Sequence, residues 1–228
     1  MRYENLRVPL VFLGTYVLLT LAALWIGDGY VTAWLPLLKI ETQWLLPHGV
    51  LCDSVSLVTR NAQRLVEAHA VTTTHLTFEN GVLPSGVGLK SSTLQAYVLS
   101  HPVIVYAILC AWPVGTWRAR AKLLLFGVPC VLLTISLDIP FVLAGHAREL
   151  ILLQFAPDRA DSDPLALYYS FMHGGGRTAL AISGALLTAL VATRTRPRAV
   201  EPATSIARTG NNVNSSTKKV HRVAATGP

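Results

Sequence analysis

Four residues set in otherwise apolar runs carry side chains that could do chemistry: His101, Asp138, His173 and Arg177. An imidazole beside a carboxylate can pass a proton, and a guanidinium can hold an oxyanion or neutralise that carboxylate. His173 and Arg177 are four apart, the spacing that places two residues on one helix face. An ionisable group costs at least about 2.5–3.5 kcal/mol at the centre of a bilayer, so such groups point inward and pair. Asp138 with Arg177 is the natural pair. Pro102 follows His101, and Pro140 lies two residues beyond Asp138. Each proline frees backbone carbonyls that the cluster could bond. Gly174, Gly175 and Gly176 are expected to let a neighbouring backbone approach. Ala181 and Ala185, with Thr178, Ala189 and Ala192, form a small-residue stripe for helix packing. Three uses of the layer stay open: a structural clasp, a catalytic or substrate-binding site open to the outer face, and a docking site for another membrane protein.

Nucleophiles for the catalytic use are poorly placed. Of the three cysteines, Cys52 falls in a polar segment, while Cys110 and Cys130 fall deeper in apolar runs and read as small apolar residues. No GxSxG, HExxH, Walker A, GxGxxG or paired CxxC occurs. Four helices without a repeated half argue against a secondary transporter. The expectation is a chain without cofactor or bound metal, and more readily a non-enzyme than an enzyme.

The elements that must carry these residues follow from composition. Hydrophobic residues make up 52% of the chain and charged residues only 14%, against about 25% charged in an ordinary soluble protein. Mean hydropathy is +0.46. The apolar residues come in blocks at 8–26, 94–116, 123–144 and 167–193, each at least as long as the roughly 17 residues needed to cross a bilayer. The fold class expected is an all-α membrane protein of four transmembrane helices. A small extracytoplasmic β-hairpin lies between the first and second. The first block lacks a small-x-small cleavage site after its apolar core and reads as an uncleaved signal anchor.

Charge sets the orientation. Residues 1–7, the short loop 117–122 (with Arg118, Arg120 and Lys122) and the tail 194–228 together hold most of the Lys and Arg, against only Glu4 and Glu201. Positive segments stay in the cytoplasm. Both termini are therefore expected inside the bacterial inner membrane, and the sequence pI of about 9.6 reports topology rather than nucleic-acid binding. The tail is poor in large apolar residues and is expected to be disordered. In this frame His101, Asp138, His173 and Arg177 share one layer near the outer surface.

The extracytoplasmic segment 27–93 has two parts. VTAWLPLLKIETQWLLP reads as an amphipathic helix on the outer leaflet, with Trp25, Trp34 and Trp44 at headgroup level. VLCDSVSLVTR and RLVEAHAVTTTHLTF, separated by Asn61-Ala62-Gln63, read as a hairpin. Such a hairpin is marginal alone and needs the membrane helices or a partner beneath it. Glu67, His69 and His75 share its polar face. The two histidines sit about 20 Å apart along an extended strand, so the face reads as solvated rather than metal-binding. Residues 145–166 read as a second outer loop.

This order, with the run STLQAYVLSHPVIVYAILCAW leading into the second helix, resembles the small membrane proteins associated with exosortases, notably the exosortase H-associated type. The resemblance is one of layout over roughly 6–192, with its sequence-level anchor at 94–112. It implies an accessory or scaffolding role in a bacterial cell-envelope processing or surface-protein assembly system, with the lipid bilayer and an exosortase-like membrane enzyme as partners. Exosortases use an outer-facing Cys, Arg and His. Here Arg177 and His173 match two of these, and no cysteine stands at that level. The alternatives are an intramembrane hydrolase or transferase using the His/Asp/Arg layer, and a structural subunit of a larger membrane complex.

Overall fold

The computed structural model describes residues 4–194, with side chains from Arg7 onward. The expectation of a disordered tail over 194–228 lies outside the described residues, apart from Arg194. The chain runs as a helix α1 (Glu4–Leu45), strands β1 (Val50–Arg60), β2 (Gln63–Thr72), β3 (Leu76–Phe78), β4 (Gly81–Leu83) and β5 (Gly88–Leu94), then helices α2 (Gln95–Ala111), α3 (Trp117–Phe155), α4 (Pro157–Ala160) and α5 (Pro164–Phe171). A π turn over Met172–Gly176 leads to α6 (Arg177–Arg194). Three helical stretches are long and apolar enough to cross a membrane: Arg7–Leu45, Trp117–Phe155 and Pro164–Arg194. The fourth apolar helix, α2, is shorter at 17 residues.

The stretch read as a separate surface helix is the second half of α1, which continues unbroken for 42 residues. At 1.5 Å per residue that is about 63 Å, twice the hydrocarbon thickness of a bilayer. Packing overrides the break signal of Gly27-Asp28-Gly29. A Cβ on Gly27 would lie 2.7 Å from the Leu99 side chain, so α1 and α2 meet closely there. Asp28 accepts from Gln95 Nε2 at 2.9 Å and pairs with Arg64 at 2.8 Å. Beyond it Val31, Leu38 and Thr42 are buried, while Trp25 and Trp44 stand exposed. In the same way α3 runs past residue 144 to Phe155 and absorbs 117–122 as its first turns, started by Thr116, whose hydroxyl accepts from Ala119 N.

Strand β1 has the predicted bounds. Its turn into β2 is Asn61-Ala62, both at positive φ (50° and 62°), the backbone that a two-residue hairpin of native twist requires. The second strand is shorter than expected. Thr72 Oγ1 donates to Pro84 O (2.7 Å) and accepts from Val87 N (2.9 Å), so the chain leaves the sheet at 73 and makes the small β3–β4 hairpin. It returns as β5, giving the antiparallel order β1-β2-β5. His75 falls on that excursion, so it does not share a strand face with Glu67 and His69. The face is not simply solvated either. Glu67 is 1% exposed, held by Arg60 (2.8 Å) and His69 (2.6 Å).

Helices cover both sheet edges, where unpaired strands would otherwise invite association. Gln43 on α1 uses its amide as a strand would, donating to Val50 O (3.2 Å) and accepting from Cys52 N (2.6 Å). On the far edge Ser92 N donates to His146 Nδ1 of α3 (3.4 Å). Val50, Cys52 and Ala70 pack with Ala144 and Ala147 beneath, and this burial pushes the Cys52 thiol pKa up. The main core joins Val66 and Ala68 of the sheet to Leu109, Ile135, Ile139 and the α6 alanines. The long helices α1, α2, α3 and α6 run antiparallel in succession. Gly27 faces Leu99, Gly127 faces Leu109 and Tyr106, and Gly184 faces Cys130 and Thr134, while Arg7 lines one cavity together with Cys110 and Arg120. Arg7, the start of α3 and the end of α6 thus fall at one end of the bundle, and the sheet at the other.

At Gly145 two helices come close: a Cβ there would sit 2.5 Å from Leu165 O, whereas one on Gly174 meets nothing within 4 Å. Gly145→Ala is therefore expected to destabilise by about 1–3 kcal/mol as an overpacking change against backbone, and Gly174→Ala to leave the thermal midpoint in detergent unchanged or raised.

Candidate functional site

The β5–α2 junction has no linker. Thr93 is the last residue but one of the strand, and Tyr97 and His101 follow on successive turns of α2, four apart and hence on one face. Asp138 faces them from α3, and Arg177 arrives as the first residue of α6. His101 and Asp138 are fully buried and Arg177 is 4% exposed. Asp138 is the hub. His101 Nε2 donates to Asp138 Oδ2 at 2.8 Å, and Arg177 Nε stands 3.2 Å from Oδ1. That second contact is a charge pair without hydrogen-bond alignment, since Arg177 Nε and Asp138 Oδ1 have no aligned partner. Arg177 Nη1 donates to Thr93 Oγ1 at 2.9 Å, and its Cζ lies 3.9 Å from the Tyr97 ring centroid, a cation–π contact.

His173 does not join this layer. The four-residue spacing to Arg177 spans the π turn, where Gly175 has φ 110°, so ordinary helical phase is lost. Arg177 turns inward and His173 outward. His173 is exposed, its Nδ1 lies 3.1 Å from Tyr169 O, and its ring lies against Tyr169, which stacks in turn on His146. The three glycines also serve differently from the expectation of helix thinning. Gly175 supplies the positive φ, and Gly174 stands clear of neighbours. Gly176 makes room for Phe171 of its own chain, whose ring would lie 2.5 Å from an added Cβ. Ala181, Ala185 and Ala189 are fully buried, and α6 packs through them on α2 and α3. Near Pro140 a backbone carbonyl serves a group outside the cluster, because the Tyr168 hydroxyl donates to Leu137 O (2.6 Å).

Sequence reasoning missed Tyr97 and Thr93. Tyr97 was legible from its four-residue spacing to His101 on an apolar helix. Thr93 carried no signal, because its role depends on β5 ending directly above the helix.

Chemically, the layer holds a proton donor–acceptor pair, a cation and the Thr93 hydroxyl, which accepts from Arg177, and the two helix cysteines stand away from it. Cys110 is nine residues along α2 from His101 and Cys130 eight along α3 from Asp138, each about 12–14 Å by helical rise. Ser100 spends its hydroxyl on Tyr97 O. Two further buried atoms of the layer, His101 Nδ1 and Arg177 Nη2, have no hydrogen-bond partner among the described residues. The fold and site define an antiparallel helical bundle capped by a three-stranded sheet and cross-tied by a buried His–Asp–Arg layer. No protein-family model, curated protein or solved structure matches the chain.

Removing one partner of a buried pair strands the other charge, at a cost of about 3–5 kcal/mol. Asp138→Leu alone is expected to lose that much, and Asp138→Leu with Arg177→Met to lose less than the single change. Unfolding midpoints measured across the four proteins in one detergent check this, and additive losses would contradict the pairing.

Proposed function

We propose that the chain is a four-span integral membrane protein with cytoplasmic termini, and that it acts as a non-catalytic accessory or scaffolding protein in bacterial cell-envelope processing or surface-protein assembly. The observation that carries the non-catalytic part is that the buried layer spends its charges on itself: Asp138 holds His101 and Arg177, and Arg177 is further held by Thr93 and Tyr97. Counting α2 as a span is supported by its antiparallel place between α1 and α3, and by a length at the lower limit for crossing a bilayer. The orientation is supported by the gathering of Arg7, Arg118 and Arg120 at the end opposite the sheet. The exosortase link rests on the likeness at 94–112. That stretch carries Tyr97 and His101, so its polar and aromatic residues have an architectural use here.

Two unpartnered buried atoms, His101 Nδ1 and Arg177 Nη2, favour the second reading, an intramembrane hydrolase or transferase. His101→Asn separates the two readings. If the layer is structural, the variant keeps its partner and any envelope phenotype in proportion to its remaining folded fraction. If it is catalytic, a fully folded variant loses activity. Mild-detergent purification from native membranes tests the accessory role: the full chain is expected to bring down another membrane protein, and a chain that always runs alone contradicts it.

Topology is tested separately. Ser85→Cys is expected to label with a membrane-impermeant maleimide added from outside intact spheroplasts, and Gly115→Cys only after permeabilisation. Background from Cys52 is expected to be low because it is buried. The reverse pattern overturns the orientation.

A further inference from the structure

At the bundle end opposite the sheet, a cavity of about 610 Å³ opens between the start of α1, the end of α2 and the first turn of α3. Val8 and Val11 line one wall. Arg7 and Arg120 supply two guanidinium groups, and Trp117, 78% exposed, stands at the mouth. Arg120 is fixed there because it donates to the carbonyls of Cys110 and Trp112 at the end of α2. Its guanidinium is thus held across a helix C-terminus and cannot swing away. No carboxylate is among the described residues that line the cavity, and neither arginine is in an ion pair among them. Two guanidinium groups without a carboxylate partner among the described residues, set over an apolar wall with an indole at the rim, match an anion that carries a hydrocarbon tail.

We propose that this cavity binds the phosphate of an anionic phospholipid. The guanidinium groups of Arg7 and Arg120 receive the headgroup, and the acyl chains lie along the exposed apolar face of α1 at Leu10 and Leu13. The shared chemistry is a phosphate ester, and a free phosphate is the competing source. The proposal rests on the membrane reading, but the test separates the two. A chain that stays dispersed without detergent overturns the membrane reading. A chain that needs detergent yet shows no lipid preference overturns only this one.

The experiment uses the full chain in a nonionic detergent, titrated separately with phosphatidylglycerol, phosphatidylcholine and inorganic phosphate, and read by native mass spectrometry and thermal midpoint. Phosphatidylglycerol is expected to be retained and to raise the midpoint, while phosphatidylcholine and inorganic phosphate do neither. Arg7→Gln is expected to weaken phosphatidylglycerol binding about fivefold, the size of effect of one basic residue at an anionic surface. Arg118→Gln, exposed and outside the cavity lining, is expected to bind as the unaltered chain does; both variants are first matched to it by elution profile and circular dichroism. Equal retention of the two lipids, equal losses from the two variants, or a midpoint shift reproduced by inorganic phosphate alone would each overturn the proposal.

Discussion

A carboxylate that has left water must find its polar partners inside the protein, and Asp138 finds them on two other helices. His101 comes from α2 and Arg177 from α6, both brought to within 3.2 Å of α3. The desolvation cost of such ions is several kcal/mol each and is offset only when geometry and hydrogen bonds are good. The cluster therefore contributes less net stability than specificity. A register shift of one residue in α2 or α6 would strand a buried charge, so the layer admits one arrangement of the bundle and rejects its neighbours.

The sheet depends on that arrangement. Thr93 is both the last core-facing residue of β5 and a ligand of Arg177, so the strand-to-helix junction is tied to the charge layer. From there the sheet is clasped at its edges by Gln43 and His146, side chains of the two helices that outrun the rest of the bundle. The layer, the junction and the sheet form one connected path from the apolar bundle to its polar cap.

Much of this was legible. The Asp138–Arg177 pairing followed from the cost of burying either alone, and the alternation of VLCDSVSLVTR gave β1 its bounds. What was not legible depended on partners distant in sequence. Gly27-Asp28-Gly29 looks like a helix end, yet α1 continues because Leu99, Gln95 and Arg64 pack and bond across it. GLKSSTL is too polar to announce a strand, and becomes β5 only because β2 offers it an edge. His173 was placed by helical phase, which the π turn and the positive φ of Gly175 cancel. A triple glycine ahead of a buried arginine is better read as a place where helical phase is reset than as a thin helix surface.

The account stands on the contact between Asp138 and Arg177 in a bilayer. Solid-state NMR of the chain in lipid, with the arginine guanidinium nitrogens and the aspartate side-chain carboxyl carbons labelled, measures it directly. A dipolar contact between Arg177 Nε and the Asp138 carboxylate carbon, matching the 3.2 Å Nε–Oδ1 separation and absent in Asp138→Asn, is the predicted result. An Arg177 side chain with no carboxylate contact, exchanging its protons freely with water, would contradict it.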